Sequence, residues 1–318
     1  MRYWFTVTGA LLSALPVHAI PDAADISAYR ALIAQDLRLA TAGYRLAFAN
    51  RAFCDQQERN PGWVIHDVAQ YSERRIALAA FAFTSPVAVA AVVPTGPAAL
   101  AGVASGDGLA AVADHSLELG NMTEGKPTYK RVMSVKAQAG RALATSGKLT
   151  LILSRGGQSI ARTIDPPLVC ASDFQVDTNN KLDAGANGSI VRVSSGMMNY
   201  VGNDAELAAV VAHEMAHNLL LHRQRLSKKR RTSRAVLATE VEADRLSVWL
   251  MANAGYEPQA ALRFWERCGR QHGLGIFTEG THLRWKRRGA IMQSEIDLMA
   301  KSERKDGLLP PPLLVGAR

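Results

Sequence analysis

The protein has 318 residues, of which 48% are hydrophobic, and a formal net charge of +9 at pH 7. This length predicts about two domains, and the apolar fraction is large enough to build real cores. After the N-terminal stretch no run of about eighteen apolar residues occurs, so we expect a soluble mature protein without a permanent transmembrane helix. The positive charge permits attraction to an anionic surface or to an acidic substrate.

Residues 1–19 have the pattern of a secretory signal. Arg2 precedes an apolar run that reaches Leu15, and Val17 and Ala19 supply small residues at the −3 and −1 positions of a signal-peptidase site. The apolar core is too short to span a bilayer as a permanent helix. We therefore expect cleavage after residue 19 and a periplasmic or secreted location.

The three cysteines would then enter an oxidising compartment, where disulfides form. Three pairings are possible. Cys54 and Cys170 flank the middle segment of the sequence, so we expect a bond between them. Cys268 lies in a helical pattern and is predicted to be a buried free thiol.

Residues 20–75 are predicted to form an N-terminal helix and a loop. Apolar residues at helical spacing over 24–52 indicate a helix that packs against the C-terminal domain. Residues 51–63 are predicted to be a loop, with Asn60-Pro61-Gly62 as its turn. From about Ile76 the pattern changes to that of short strands.

Residues 76–166 are predicted to form a β-rich domain. The expected elements are strands at 87–93 and 109–112, helices at 98–101 and 132–144, and a strand–turn–strand pair over 149–164. This order, with PAALAGVASGDGL in its middle, resembles the PDZ domains of many secreted proteases. The resemblance implies that an extended peptide adds as a strand and is clasped at its terminal carboxylate. Residues 79–84 show no clear G-L-G-F carboxylate loop, so the alternative is a PDZ-like fold used as a spacer or lid.

Pro166-Pro167 marks the boundary to a second domain, residues 167–305, in which VVAHEMAHNLLLH (210–222) is predicted to be helical. No proline or glycine occurs from Asp204 to Leu226. Asn203 can cap the helix, and Glu206 can reach back to complete a capping box.

His213 and His217 lie one turn apart on the same face of this predicted helix. Two imidazoles so placed can bind one zinc ion, and Glu214, about 100° round the helix, can act on a metal-bound water. The alternative is two polar residues on an apolar helix. That reading would leave two buried imidazoles unpaired, at a cost of a few kcal/mol.

A catalytic zinc site needs a third protein ligand and an open fourth position. A second helical pattern runs from Thr239 to Ala254. On it Glu240 and Asp244 share a face, whereas Glu242 lies about 200° away from Glu240. Only one glutamate can therefore face the metal. We choose Glu240, because Asp244 would then accept a hydrogen bond from a ligand histidine.

The motifs HEMAH, EVEADR and AGYEP together resemble the zinc metallopeptidase family of the CAAX prenyl protease, HtpX and the periplasmic β-barrel assembly-enhancing protease. The resemblance covers about residues 170–300. It implies that Glu240, the first glutamate of E-x-x-x-D, is the third ligand. The fold class expected is α+β: a mainly helical zincin-type metallopeptidase domain with a small edge sheet, joined to the PDZ-like β-rich domain.

The resemblance also implies two features around the cleft. Residues 186–196 resemble the edge strand beside the family's active-site helix, and Ile190–Ser194 is predicted to offer its free edge to an extended substrate. Thr281-His282 matches a T-H-P motif in which Leu283 replaces the proline. By resemblance His282 would donate to the developing oxyanion; the alternative is an ordinary loop histidine.

The function predicted is that of an exported zinc endopeptidase with one Zn²⁺ per chain, acting on misfolded or envelope proteins. His213, His217 and Glu240 would hold the ion, which lowers the pKa of its water from about 15.7 towards 7, and Glu214 would be the general base. The alternative is a non-proteolytic zinc-containing PDZ-like binding or chaperone protein of the cell envelope. A purely structural zinc site, however, has no use for Glu214 and usually closes its fourth position.

A basic run follows the predicted zinc helix and contains no acid: Arg223, Arg225, Lys228, Lys229, Arg230, Arg231 and Arg234. Most such runs are solvated loops. The functional alternative is attraction to an anionic membrane surface or an acidic substrate. The run has no interleaved aromatic residues, so no nucleic-acid partner is predicted. Residues 306–318, with three prolines, are predicted to form an extended tail.

Overall fold

The structure is a computed structural model that describes residues 23–117, 125–228, 232–272 and 285–315. The predicted signal (residues 1–19) and His282 lie outside the described residues. The described part of the sequence is a mixture of helices and sheets, in agreement with the predicted α+β class.

The helices are α1 (Ala23–Ala49), α2 (Arg74–Phe81), α3 (Pro97–Leu100), α4 (Lys130–Ser146), α5 (Ser195–Tyr200), α6 (Asp204–Leu219), α7 (His222–Lys228), α8 (Ser233–Asn253), α9 (Gln259–His272), α10 (Trp285–Met299) and α11 (Pro312–Val315). The strands are β1 (Gln57–Arg59), β2 (Trp63–Asp67), β3 (Val87–Val92), β4 (Gly108–Val112), β5 (His115–Ser116), β6 (Leu149–Arg155), β7 (Gln158–Ile164), β8 (Leu168–Cys170), β9 (Asp173–Asp177), β10 (Ala184–Ala186) and β11 (Ile190–Ser194).

The largest sheet is antiparallel, with strand order β2-β3-β4-β6-β7 and β5 paired to β4. Its strands alternate as a half-buried sheet requires: Leu149, Leu151 and Leu153 of β6 are fully buried and their neighbours are not. Helix α4 packs its buried valines into the same core. Gly156 and Gly157 both have positive φ, which suits the tight hairpin between β6 and β7.

The β-rich region begins earlier than predicted. Strand β2 (Trp63–Asp67) already belongs to the large sheet, because it pairs with β3. Ile76, where the strands were predicted to start, lies inside α2. The predicted loop at 51–63 contains a 3₁₀ turn and β1, which pairs with β8. Both pairings join residues distant in sequence, and local composition carries no signal for such partners.

Helix α6 is the centre of the second core. Asn203 caps it as predicted, because its side chain accepts a hydrogen bond from the backbone N–H of Glu206 at 3.0 Å. The predicted capping box is not completed, since the Glu206 carboxylate accepts from Gly202 N–H rather than from Asn203 N–H. Its middle is buried almost all round and packs against α1, α8 and α9.

The helix predicted over 210–222 is interrupted, because α6 ends at Leu219 and α7 begins at His222. Between them Leu221 adopts a left-handed conformation, with φ of 53°. Helix α8 begins at Ser233, well before Thr239, because Thr232 caps it by accepting from Ala235 N–H. These two boundaries set where the side chains of α7 and α8 meet.

A three-stranded sheet with order β10-β11-β9 lies beside α6. Strand β11 pairs antiparallel with β10 and parallel with β9. The prediction that Ile190–Ser194 has a free edge is therefore wrong, because both sides of that strand are occupied. The strand at the open edge beside α6 is β10, and residues 195–200 belong to helix α5.

The cysteine prediction is confirmed. Cys54 and Cys170 form a disulfide with Cα atoms 5.4 Å apart, and Cys268 is a buried free thiol. The C-terminal prediction is wrong in part: Leu309 is buried and exchanges two backbone hydrogen bonds with the Asn253 side chain, and α11 follows it. Across the described ranges, no helix has both the length and the hydropathy that a membrane span requires.

Candidate metal centre and active site

Helices α6 and α8 bring three predicted ligands together. His213 Nε2 lies 3.3 Å from His217 Nε2 and 3.4 Å from a carboxylate oxygen of Glu240, and His217 Nε2 lies 3.6 Å from the other. One donor atom from each residue lies within 4.8 Å of the other two. The helical phase assumed for Glu240 therefore places its carboxylate against both imidazoles.

His213 is oriented from behind by a buried ion pair. Its Nδ1 lies 3.0 Å from a carboxylate oxygen of Asp244, the residue predicted to accept a hydrogen bond from a ligand histidine. Asp244 in turn accepts two hydrogen bonds from Arg288, at 2.9 Å from Nε and 2.6 Å from Nη2. The Arg288 guanidinium lies 3.6 Å from the ring centroid of Trp265, so the indole covers one face of the guanidinium. This arrangement leaves His213 Nε2 as the atom directed at Glu240.

The protonation of the cluster is uneven. Burial and Arg288 lower the pKa of His213, but Asp244 and Glu240 outweigh them and raise it to about 9. Burial and the neighbouring His213 lower the pKa of His217 to about 3. Burial disfavours ionised Asp244, yet Arg288 and His213 keep its pKa below the ordinary value. The cluster therefore takes up a proton at His213, and a bound cation would displace it.

Glu214 is buried next to these donors, and it also lines a cavity. Burial raises its pKa to about 7, and the nearby carboxylates of Glu240 and Asp183 act in the same direction, against His213 and Arg288. A carboxylate with a pKa near neutrality is suited to accept and then return a proton.

The cavity has a volume of about 600 Å³. His213, Glu214, His217 and Glu240 line it, together with Ala184 and Ala186 of β10 and further residues of α7 and α8. The donors thus face open space, where a fourth position is accessible.

Two functional candidates were missed by the sequence analysis. Arg288 lies 44 residues from Asp244 in the sequence, and no local pattern connects them. His222 Nδ1 lies 2.9 Å from His217 Nδ1, and its Nε2 lies 2.9 Å from Glu242. Positions five apart in an unbroken helix point about 140° from each other, so the break at Leu221 was needed to bring His222 to His217.

The residues present fit a zinc ion. Two imidazole nitrogens and one carboxylate oxygen are a usual catalytic ligand set, and an open side leaves room for water or substrate. The histidine nitrogens that do not face the cluster have partners of their own, as metal-binding histidines require.

The H-E-x-x-H motif on α6, a glutamate from α8 and a buried base at a cavity define a site of the zinc metallopeptidase class. Residues 153–239 match the model of Peptidase family M48. This match supports the zinc metallopeptidase family M48 for the protein, the family that the sequence motifs resemble. The matched segment contains His213, Glu214 and His217 and ends one residue before Glu240. No curated protein matches the sequence.

Proposed function

We propose that the protein is an exported zinc-dependent endopeptidase that cleaves misfolded or envelope proteins. The observation that carries the proposal is the convergence of His213, His217 and Glu240 beside Glu214 on one open cavity. The family match supports peptidase activity and hence a polypeptide substrate.

In this proposal a zinc ion held by His213, His217 and Glu240 would polarise the scissile carbonyl and acidify a water molecule. Asp244 and Arg288 hold the His213 ring so that Nε2 faces the cavity. Glu214 takes the proton from the attacking water and passes it to the leaving amine, a role that its raised pKa supports. His282, by family resemblance, donates to the developing oxyanion.

Strand β10 is the element that would align the substrate. Asn187 donates to Ile190, and Ser194 donates to Asp183, so the backbone groups of Ala184 and Ala186 point away from β11. An extended polypeptide could add to this edge as a further strand and lie across the cavity. Because β10 carries small side chains here, the backbone of a substrate can approach it closely.

The remaining parts of the proposal rest on sequence. Residues 76–166 would be a PDZ-like domain that binds peptide or serves as a spacer, next to a metallopeptidase domain at 167–305. Arg223, Lys228 and Arg234, which are exposed, would attract an anionic membrane surface or an acidic substrate. Removal of residues 1–19 would deliver the protein to the periplasm or the medium.

The second candidate is a zinc-containing binding or chaperone protein without proteolytic activity. The buried Glu214 with a pKa near 7 favours the enzyme, because a structural metal site needs no such group.

Two substitutions test the proposal. Glu214→Gln should keep zinc but lose about 10²-fold or more of the rate, because a general base contributes at least that much. Glu240→Gln should lose zinc affinity and with it activity. The readouts are metal content after dialysis and cleavage of an unfolded test protein.

Glu257→Gln is the matched control, since Glu257 is an exposed carboxylate that is paired with Arg263 and does not line the cavity. It should keep both zinc and activity. Zinc binding without cleavage by the unaltered protein would favour the chaperone reading, and a Glu214→Gln variant of full activity would refute the assigned base.

A further inference from the structure

A second line of hydrogen bonds leads to His217, the other histidine of the metal centre. His217 Nδ1 lies 2.9 Å from His222 Nδ1, and His222 Nε2 lies 2.9 Å from a carboxylate oxygen of Glu242. Arg225 donates to both oxygens of Glu242, at 2.6 and 3.2 Å. We call His222, Glu242 and Arg225 the His222 series.

The direction of these hydrogen bonds follows from Glu242, whose carboxylate is held by Arg225. A carboxylate held by an arginine accepts, so His222 donates through Nε2. A neutral His222 ring that donates through Nε2 has a bare Nδ1, which can only accept. His217 must therefore carry its proton on Nδ1, and its Nε2, the atom facing His213 and Glu240, is left with a free lone pair.

The series is built into the fold rather than lying loosely on the surface. His222 is 1% exposed, and its ring packs edge-on against the His217 ring with centroids 4.8 Å apart. The left-handed Leu221 turns α7 so that His222 and Arg225 face α8. Glu242 sits on the face of α8 that Glu240 does not use, which gives the second glutamate of E-V-E-A-D a role of its own.

We propose that His222, Glu242 and Arg225 are positioning residues that fix the tautomer and ring orientation of His217 and thereby strengthen its bond to the metal. The inference rests on the proposed function, since it assumes that His217 Nε2 binds the ion. The two metal-binding histidines would then be held by different devices: His213 by a buried aspartate–arginine pair, and His217 by a second histidine backed by a glutamate.

The test is zinc affinity measured by competition with a chelator at fixed pH. His222→Phe keeps a ring of similar size but cannot accept from His217, and it should weaken zinc binding by about 10- to 100-fold. His222→Gln should recover part of this loss, because its amide oxygen can accept the same hydrogen bond. Glu242→Gln should give a loss smaller than that of His222→Phe.

Two further measurements separate positioning from plain structure. In the zinc-loaded protein, long-range ¹H–¹⁵N spectra should show His217 protonated at Nδ1 and His222 at Nε2. With cobalt(II) in place of zinc, the visible absorption bands should shift in His222→Phe. Glu257→Gln, which removes an exposed carboxylate–arginine pair elsewhere, should change neither the affinity nor the bands.

The outcomes are distinct from those of the proposed function. If the unaltered protein binds no zinc, both the proposed function and this inference fail. If it binds zinc and His222→Phe binds equally well, or if the opposite tautomers are found, only this inference fails. Should His222→Phe not fold, Glu242→Gln decides, since that side chain is partly exposed; unchanged affinity there would overturn the inference.

Discussion

At the scale of single residues, Arg288 supplies the positive charge that balances the buried carboxylate of Asp244 behind His213. It is the partner of Asp244, which is 0% exposed, and both lie against His213. Removing one member of a buried ion pair leaves the other uncompensated and costs about 3–5 kcal/mol.

We therefore expect Arg288→Met to lower the free energy of unfolding of the metal-free protein by about that amount. Urea denaturation is the measurement. Arg263→Met is the control, because the Arg263–Glu257 pair is more than half exposed and should therefore contribute little to stability. Equal effects of the two substitutions would contradict the role given to the Arg288–Asp244 pair.

Cys268 gives a prediction with a pH dependence. Burial raises the pKa of its thiol to about 11 from an ordinary 9.0. The thiol should therefore stay protonated and unreactive towards alkylating reagents at pH 8, since the thiolate is the nucleophile. Because the folded-state pKa is the raised one, the contribution of Cys268 to stability is complete below pH 9 and is lost between about pH 9 and 11.

The measurement is alkylation of the native protein followed by mass spectrometry, with the denatured protein as the reactive control. Rapid modification of native Cys268 at pH 8 would show that the thiol is neither buried nor protonated.

At the scale of elements, β10 should bind substrate through its backbone. Ala186→Pro removes an N–H that points away from β11, so the pairing within the sheet is kept while a hydrogen bond to substrate is lost. We expect kcat/KM for an unfolded polypeptide to fall by about 5- to 10-fold, the value of one net hydrogen bond of about 1 kcal/mol or slightly more. Zinc content should not change.

Ala186→Ser is the control, because it keeps the backbone N–H and adds only a small side chain. If Ala186→Pro leaves kcat/KM unaltered, or if the serine variant loses as much, substrate does not use this edge.

The sequence predicted local features of the elements and missed those that depend on distant partners. The faces of α6 and α8 could be predicted from the spacing of His213, His217 and Glu240, because helical phase is a local property. The end of α6 could not, since no glycine or proline marks Leu221. Likewise 190–194 was recognisable as a strand, but which strand lies at the edge depends on pairings between β9, β10 and β11.

At the scale of the whole molecule, α1 joins two cores. Leu39, Ala42 and Leu46 in its C-terminal half belong to the core around α6. Tyr29 and Ile33 in its N-terminal half pack against a cluster formed by α2, β3 and the turn before α2. Gly43 permits the close approach of β9, because a Cβ there would lie 2.4 Å from the Phe174 ring. The predicted packing of the N-terminal helix on the C-terminal region describes only part of its contacts.

The disulfide acts at the same scale, because it closes the segment that contains the large antiparallel sheet. Cys54 and Cys170 are 116 residues apart in sequence. Cys54 precedes β1, and Cys170 is the last residue of β8, which pairs with β1. A cross-link of this span restricts the unfolded chain by about 5 kcal/mol in the loop-entropy treatment, and native disulfides usually contribute 2–5 kcal/mol.

Replacing both cysteines by alanine should therefore lower the free energy of unfolding by about 3–5 kcal/mol in urea denaturation. Reductant should produce a similar loss in the unaltered protein and none in the double variant, which lacks the bond. Cys268→Ala separates the bond from the loss of a buried thiol, since that variant should still respond to reductant. A double variant as stable as the unaltered protein would show that the pairing of β1 with β8 holds this segment without the cross-link.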